Sequence, residues 1–238
     1  FTTNQYLTQK FIRIKLKEIN RMEVPKVKKT VYLTSKQDGL KLHVLLMEPE
    51  EEPKGIVQIV HGMAEHKERY EPFMEMLCKQ GYISIIHDHR GHGKSIRAKE
   101  DLGYFYDESG KAIVEDVHQI TQWAKDRYGE MPYHLFGHSM GSLVVRCYLK
   151  KYDNELDSLI ICGSPSENKA AKAATLLAKA ACKIRPHKRG DFFQKLACGL
   201  YGKILEEGES ENGWISYNKE NVKAYDENPL DGFVFSNN

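Results

Sequence analysis

The residues best placed to do chemistry in this 238-residue chain form the pentapeptide Gly137-His138-Ser139-Met140-Gly141. Its G-x-S-x-G pattern lies between an apolar run and an amphipathic stretch, which is the strand-to-helix context of a nucleophilic serine. So sharp a turn strains the backbone of Ser139 and needs glycine on both sides, because only glycine lets neighbouring backbone pass so closely. Since G-x-S-x-G also occurs by chance, the flanking strand and helix decide the interpretation. We predict that Ser139 is the nucleophile of an acyl-transfer site.

A second segment, His61-Gly62-Met63-Ala64-Glu65-His66, follows an apolar run at 55–60. Acyl transfer to a serine needs two N–H donors aimed at the oxygen that becomes negative in the transition state. One donor is expected from the residue after the nucleophile, Met140, and the other from the loop after an earlier strand, at Met63. For His61 two roles are open, a structural imidazole that bonds loop carbonyls or a proton-transfer group, and the structural role is favoured.

Three histidines and an aspartate lie in the polar segment 87–95, His87-Asp88-His89-Arg90-Gly91-His92-Gly93-Lys94-Ser95. The set suggests a metal site, but the spacing gives no helical H-x-x-x-H pair and no cysteine accompanies it. A polar loop that braces the carboxyl edge of a sheet is the preferred interpretation. We therefore predict no metal and no other cofactor.

The elements that must position these segments alternate along the chain. Apolar or alternating runs predict strands at 31–35, 40–46, 55–60, 82–86, 131–136 and 156–162. Asp38-Gly39 would join the first two as a hairpin, since it supplies the positive-φ residues of such a turn. Helical periodicity covers 70–80, 113–128 and 140–151. Apolar strands that alternate with helices predict an α/β fold, a doubly wound and mostly parallel sheet covered on both faces.

Composition divides the chain into three regions. Residues 1–29 form an N-terminal extension whose apolar spacing fits an edge strand and a helix equally well. Residues 30–163 form the α/β core. Residues 164–238 contain no convincing buried strand but do contain helical patterns at 169–184 and 192–201, so we predict a helical cap there.

Charge is unevenly spread over a chain whose net charge is +2. Residues 10–29 carry +6 and residues 168–190 carry +7, so the remainder is acidic. This distribution argues against a nucleic-acid-binding face, which would be uniformly basic. Within 169–184 four lysines share one stripe beside apolar residues: Lys169, Lys172, Lys179 and Lys183. The helix is either an ordinary solvated one or a peripheral contact with an anionic membrane.

Length and cysteine content bound the cellular setting. No apolar run approaches the ~18 residues that span a bilayer, and no charged-then-apolar leader is visible. The five cysteines include no C-x-x-C pair, which favours reduced buried thiols. We expect a cytoplasmic protein, peripheral at the membrane if the lysine stripe acts as proposed.

The segments 61–66, 88–95 and 137–141 together resemble the α/β-hydrolase superfamily, and within it the monoacylglycerol lipase and lysophospholipase group of serine-aminopeptidase-like hydrolases. The resemblance extends over about 30–230; Ser142 departs from it, since the group usually carries glycine there. It implies a serine hydrolase of small lipid esters. A proline-iminopeptidase-like peptidase is an alternative that would need an acidic anchor in the cap, such as Glu206 to Glu211. A non-catalytic scaffold of the same fold is the other alternative.

The resemblance also implies a catalytic triad in the chain order Ser, Asp, His, with the acid and the base on loops after two further strands. After Ser139 the chain has one histidine, His187, in a segment similar to the family's cap. We expect the triad Asp and His in a continuation of roughly 30–70 residues beyond residue 238. His187 as an unconventional base is the alternative.

Overall fold

The computed structural model describes residues 27–166, 171–192, 205 and 209–237. Six strands form one sheet in this part of the chain: β1 Val27–Thr34, β2 Lys41–Glu48, β3 Ile56–Val60, β4 Ile83–His87, β5 Tyr133–His138 and β6 Ser158–Cys162. Their order is β1-β2-β4-β3-β5-β6. β2 is antiparallel to both β1 and β4, and the four strands β4, β3, β5 and β6 are parallel. The predicted strands are confirmed, with ends that differ by up to four residues.

The hairpin of β1 and β2 is present, but its connection differs from the predicted Asp-Gly turn. Of that pair, only Gly39 has a positive φ, at 76°. The connection is longer because the Ser35 N–H donates to the Leu40 carbonyl at 2.7 Å, which places the loop closure outside the Asp-Gly pair. β1 begins at Val27, so its first three residues lie within the predicted extension. The rest of that extension, residues 1–26, lies outside the described residues.

Five α-helices accompany the sheet in the described residues: α1 Glu71–Lys79, α2 Ala112–Tyr128, α3 Met140–Tyr152, α4 Ala171–Ile184 and α5 Lys219–Glu227. The first three match the helices predicted from periodicity to within one residue at each end. α4 coincides with the described part of the predicted helix at 169–184. The helix predicted at 192–201 lies outside the described residues from 193 onward.

Both faces of the sheet are covered, as the strand pattern predicts. On one face, Met74 and Cys78 of α1 pack on the apolar side chains of β2, β3 and β4. On the other face, α2 and α3 pack through Ile120, Val117 and Val145. Each fully buried side chain of this kind stabilises the fold by about 1.5–3 kcal/mol. This packing fixes the carboxyl ends of β3, β4 and β5 at one edge, where their loops converge.

The chain after β6 adds α4, a 3₁₀ turn at Gly213–Ile215 and α5, and then returns to the sheet. We call residues 225–237 the return segment. Its Ser236 N–H donates to the Gly103 carbonyl at 3.0 Å, and the Gly190 N–H donates to the Phe235 carbonyl at 2.7 Å. The first bond ties the return segment to a loop at the carboxyl edge, and the second ties it to the residues that follow α4. None of the described helices has the length and apolar content needed to cross a membrane.

Candidate active site

Ser139 stands at the turn between β5 and α3 in a strained conformation. Its φ is 51° and its ψ is −117°, backbone angles that residues other than glycine rarely adopt. Such strain costs about 1–3 kcal/mol and persists only where the surroundings over-determine it. Here the Ser139 N–H donates to the Cys162 carbonyl at 3.0 Å, and the Ser142 hydroxyl donates to the Ser139 carbonyl at 2.5 Å. The turn projects the Ser139 side chain out from the sheet at the first turn of α3.

The two glycines of the pentapeptide have the steric role expected of them. A Cβ on Gly137 would lie 2.6 Å from Val145 Cγ2 and 2.7 Å from the Gly141 carbonyl oxygen. A Cβ on Gly141 would overlap the carbonyl oxygen of Val60 at the end of β3. Because α3 passes this close to β3 and β5, both positions require glycine.

The loop of residues 61–66 lies directly beside Ser139. A Cβ on Gly62 would be 3.3 Å from Ser139 Cβ. The Gly62 N–H donates to Glu65 Oε1 at 2.5 Å, and His61 Nδ1 is 2.8 Å from the Gly62 carbonyl oxygen. In a trans peptide the carbonyl and the following N–H point in opposite directions, so this bond turns the Met63 N–H away from the His61 ring. Met63 and Ser139 line the same cavity.

His61 is held as a neutral imidazole. Its Nε2 accepts the His89 N–H at 3.0 Å, so Nδ1 carries the proton that is donated to the Gly62 carbonyl. Burial, reinforced by neighbouring His89, lowers the pKa of His61 well below its usual value. This geometry supports the structural role over proton transfer, since backbone groups of segments 61–66 and 87–95 occupy both ring nitrogens.

The polar segment 87–95 braces the same edge of the sheet. The buried Asp88 carboxylate accepts hydrogen bonds from Lys67 Nζ at 2.7 Å and from the Lys94 N–H at 2.9 Å. Burial opposes its charge, but His43 and Lys67 outweigh burial and hold the pKa of Asp88 well below its usual range. A Cβ on Gly93 would overlap this carboxylate. No group of His, Cys, Asp or Glu among the described residues has an arrangement that would hold a metal ion.

A cavity of about 900 Å³ opens in front of Ser139. Its walls are formed by loop 61–66, α1, the end of β5 and the region after β6. The apolar lining is Met63, Phe73, Phe136, Leu205, Trp214, Ile215 and Tyr225, and the polar lining includes Glu65, Arg69, Tyr70, His138, Glu211 and Asn212. An apolar chamber with a few polar groups on one side is the usual form of a site for an amphipathic small molecule.

The polar side of the cavity is a connected network that sequence analysis did not identify. Glu65 Oε1 accepts the Tyr70 hydroxyl at 2.8 Å, Glu65 also pairs with Arg69, and Tyr70 Oη is 2.8 Å from His138 Nδ1. Burial would raise the pKa of Glu65, but the neighbouring His138 ring and the Arg69 charge lower it overall. Glu65 is therefore an ionised carboxylate beside Ser139. The i,i+4 spacing of Glu65 and Arg69 was the one feature of the sequence that could have indicated this ion pair. Such spacing predicts a pair within a helix, and the sequence predicts no long helix at these positions.

A family model described as serine aminopeptidase, S33 matches residues 51–237. The chain belongs to this family. Among curated proteins, this S33 family member is 30% identical over 128 residues to a monoacylglycerol lipase of Mycolicibacterium smegmatis, an alignment that covers 52% of this chain and 43% of that protein. It is 26% identical over 196 residues to a monoglyceride lipase of Rattus norvegicus, covering 81% of this chain and 57% of that protein. The chain thus spans about half the length of the curated relatives it matches.

Solved structures identify the fold. A thermostable carboxyl esterase from Bacillus coagulans superposes with a TM-score of 0.80 at 26% identity, covering 87% of this chain and 67% of that one. The S33 family member therefore has the α/β-hydrolase fold, as its motifs implied. The mostly parallel sheet with helices on both faces agrees with this assignment.

No histidine among the described residues has a position that supports a role as the base for Ser139. His187 stacks on Tyr104 with ring centroids 4.1 Å apart, and it is not among the residues that line the cavity. His138 does line the cavity, but its Nδ1 is bonded to the Tyr70 hydroxyl. His187 as an unconventional base therefore gains no support from its position.

Proposed function

We propose that the full-length protein is a serine hydrolase that cleaves carboxylic esters of small lipids, of monoacylglycerol or lysophospholipid type. The observation that carries the proposal is the strained Ser139 turn on the wall of a largely apolar cavity of about 900 Å³. The names of two relatives, monoacylglycerol lipase and monoglyceride lipase, point to the same substrate class.

In this proposal Ser139 Oγ attacks the ester carbonyl carbon and its proton passes to the base. The backbone N–H groups of Met63 and Met140 donate to the oxygen that becomes negative, and Met140 begins α3, whose dipole adds to the stabilisation. The tetrahedral intermediate collapses, the bond to the alcohol oxygen breaks, and the alcohol leaves with a proton from the base. Water then hydrolyses the acyl-enzyme, which releases the fatty acid and restores Ser139.

The two sides of the cavity match the two ends of such a substrate. Phe73, Phe136 and Trp214 line the apolar side, where an acyl chain gains about 0.8 kcal/mol for each CH₂ it buries. Glu65 and Arg69 lie on the polar side, where they suit the hydroxyl groups of an alcohol moiety. A cavity of this composition favours substrates with one long apolar arm and one small polar end.

We further propose that the triad Asp and His lie in a continuation beyond residue 238. β6 is the edge strand on that side of the sheet, and its Ile160 and Ile161 are each 45% exposed. An edge strand with exposed apolar side chains is a site for further strand pairing. Two additional strands there would cover these side chains and carry loops to the carboxyl edge, where Ser139 stands.

α4 is proposed as a peripheral membrane contact. Its Leu176, Leu177 and Ile184 are 71%, 56% and 77% exposed, beside Lys179 and Lys183. Exposed apolar side chains flanked by lysines suit the headgroup region of an anionic membrane. The other two lysines of the stripe, Lys169 and Lys172, have side chains outside the described residues.

The test is the reaction of full-length protein with a fluorophosphonate probe and with monoacylglycerol and lysophospholipid substrates. Ser139→Ala should abolish both labelling and hydrolysis, because it removes the attacking oxygen. Ser158→Ala, an exposed serine of β6, is the matched control and should label and turn over like wild type. Equal labelling of wild type and Ser139→Ala would overturn the assignment, and a full-length protein without Ser139-dependent turnover would favour the scaffold alternative.

A peptidase activity is the second candidate, and one observation favours it. Glu211, part of the acidic stretch at 206–211, lines the cavity and would pair with the free amino group of a peptide substrate. Hydrolysis of aminoacyl-naphthylamides that is lost in Glu211→Gln would support this candidate. Turnover of lipid esters alone, with no aminoacyl substrate accepted, would reject it.

A further inference from the structure

The return segment holds the sharpest turn of loop 61–66. Ala64 has a φ of 49°, a left-handed conformation that costs a residue with a Cβ about 1 kcal/mol or more. Its carbonyl oxygen accepts two hydrogen bonds, from the Gly232 N–H at 2.8 Å and from the Tyr225 hydroxyl at 3.0 Å. Ala64 is 3% exposed, so water does not replace either donor readily. These two bonds favour the left-handed conformation over the alternatives.

A buried pair fixes the end of the same loop. His66 Nδ1 lies 2.7 Å from Asp231 Oδ1, and the side chains of both residues are less than a tenth exposed. Burial disfavours a charge on His66, but Asp231 outweighs it and raises the pKa of His66. Because an ionised carboxylate only accepts hydrogen bonds, Nδ1 carries the proton that is donated to Asp231.

The opposite side of the turn is held by the core. The Ala64 N–H lies 3.3 Å from His92 Nε2, and the Gly62 carbonyl is bonded to His61. Met63 is thus placed between a peptide fixed by the core and a carbonyl fixed by the return segment. A reversal of the Ala64 φ would break both bonds to its carbonyl and displace the peptide that joins Met63 to Ala64.

We propose that Tyr225, Asp231 and Gly232 are positioning residues of the oxyanion hole. They hold Ala64 in its left-handed conformation and thereby aim the Met63 N–H at the oxygen of a substrate on Ser139. Tyr225 lies 161 positions from Ala64 in the sequence, so this support depends wholly on the tertiary fold. The inference rests on the proposed function, since it assigns a supporting structure to the same site.

The experiment compares two variants of the full-length protein that each lose one hydroxyl donating to a backbone carbonyl. Tyr225→Phe removes the bond to Ala64 and keeps the ring that packs under Arg69. Ser236→Ala removes a buried bond of 2.9 Å to the Gly103 carbonyl, in the same return segment but away from loop 61–66. The measurements are kcat and KM for p-nitrophenyl butyrate and the inhibition constant of a trifluoromethyl ketone, whose tetrahedral adduct places an oxyanion in the hole.

Tyr225→Phe should lower kcat about tenfold with KM within about twofold, and weaken the ketone by a similar factor, because the lost interaction acts on the transition state. Ser236→Ala should leave kcat and ketone inhibition within about twofold of wild type, whatever its melting temperature. Asp231→Asn, measured in the same way, supplies the second variant if Tyr225→Phe does not fold, and its expected losses have the same pattern.

Three outcomes would overturn the inference. Wild-type kcat and ketone inhibition in both Tyr225→Phe and Asp231→Asn, in a protein whose wild type is active, would refute it and leave the proposed function intact. An equal loss in Ser236→Ala would show that general destabilisation is the cause. A wild type that hydrolyses no ester, or a Ser139→Ala variant that retains turnover, would refute the proposed function itself and the inference with it.

Discussion

At the scale of single residues, Gly141 sets how closely α3 approaches β3. A Cβ at this position would overlap the Val60 carbonyl oxygen, a backbone atom that has no side-chain rotamer to move away. We predict that Gly141→Ala lowers the free energy of unfolding by about 3 kcal/mol, at the upper end of overpacking costs. Urea denaturation of the full-length protein measures this.

Gly213→Ala is the control for that substitution. A Cβ on Gly213 would meet the methyl group of Leu205 at 3.0 Å, the end of a flexible side chain, and Gly213 has no positive φ. Its cost should stay below about 1 kcal/mol. Equal unfolding free energies for the two variants would show that α3 withdraws from β3 without penalty, contrary to the close approach described above.

His87 shows how an unpartnered buried group couples stability to pH. It is fully buried, and neither of its ring nitrogens has a hydrogen-bond partner among the described residues. Burial lowers the pKa of His87 to about 4. In the unfolded chain the pKa of the His87 imidazole is about 6.5. Between about pH 6.5 and pH 4, acidification therefore adds a proton to this group in the unfolded state only. Stability due to this group is therefore present above 6.5 and lost as the pH falls through the window.

His87→Phe tests this sign. Acidification from pH 7 to pH 4 should cost the wild type on the order of 3 kcal/mol of unfolding free energy through His87. The variant lacks this group, so its decrease over the same range should be smaller by about that amount. Unfolding free energies at pH 7, 5.5 and 4 provide the measurement, and the two proteins should run parallel between pH 7 and 8.5. The expectation fails if wild type and variant lose stability equally below pH 6.5.

At the scale of elements, α4 is expected to govern lipid binding without governing chemistry. Each lysine near an anionic leaflet contributes about 1 kcal/mol, an attraction that decays within a Debye length. Replacement of Lys169, Lys172, Lys179 and Lys183 by glutamine should weaken binding to phosphatidylserine vesicles, most strongly at low salt. Turnover of p-nitrophenyl acetate should change little, because Ser139 lies between β5 and α3.

A charge-matched control separates position from net charge. Lys36, Lys41, Lys111 and Lys150 are exposed on the core, and their replacement by glutamine removes the same four charges elsewhere. This second variant should bind the vesicles as wild type does. Vesicle binding at low salt that is unchanged in the α4 variant would return α4 to the status of a solvated helix.

At the scale of the whole molecule, β6 is an edge strand whose apolar side chains are largely uncovered by the described residues. Its central residues Leu159, Ile160 and Ile161 are apolar, yet the strand is largely exposed and lies at the edge of the sheet. We predict that the natural protein continues through two strands that carry an Asp and then a His. Intact mass spectrometry of protein purified from its source should exceed 27.4 kDa by the mass of roughly 30–70 residues.

Hydrogen exchange gives the matching structural measurement. In the full-length protein, amides of β6 that face away from β5 should exchange slowly, because they pair with the next strand. The outer amides of β1, at the opposite edge, serve as the internal reference for an exposed edge. A native mass of 27.4 kDa, or β6 amides that exchange as fast as those of β1, would contradict the continuation.

Patterns among neighbouring residues were enough to predict several parts of this molecule. Alternation and apolar runs located all six described strands, and a period of 3.6 located α1, α2 and α3, because burial of one face imposes these spacings locally. The Ser139 turn was equally accessible, since the close approach of α3 to β3 and β5 requires glycine two positions away on either side. A stretch of about 20 consecutive residues is enough to predict each of these features.

Which distant residues support the site depends on the folding of the whole chain. The pair of His66 and Asp231 joins positions 165 apart in the sequence. The two donors to the Ala64 carbonyl lie in α5 and in the loop after it, both of which follow the last described strand in the sequence. The order β1-β2-β4-β3-β5-β6 likewise follows from which strands pair, not from their spacing in the sequence. Periodicity reports that a residue is buried, but hydrogen-bond partners across the fold are chosen by the global packing, which no local pattern contains.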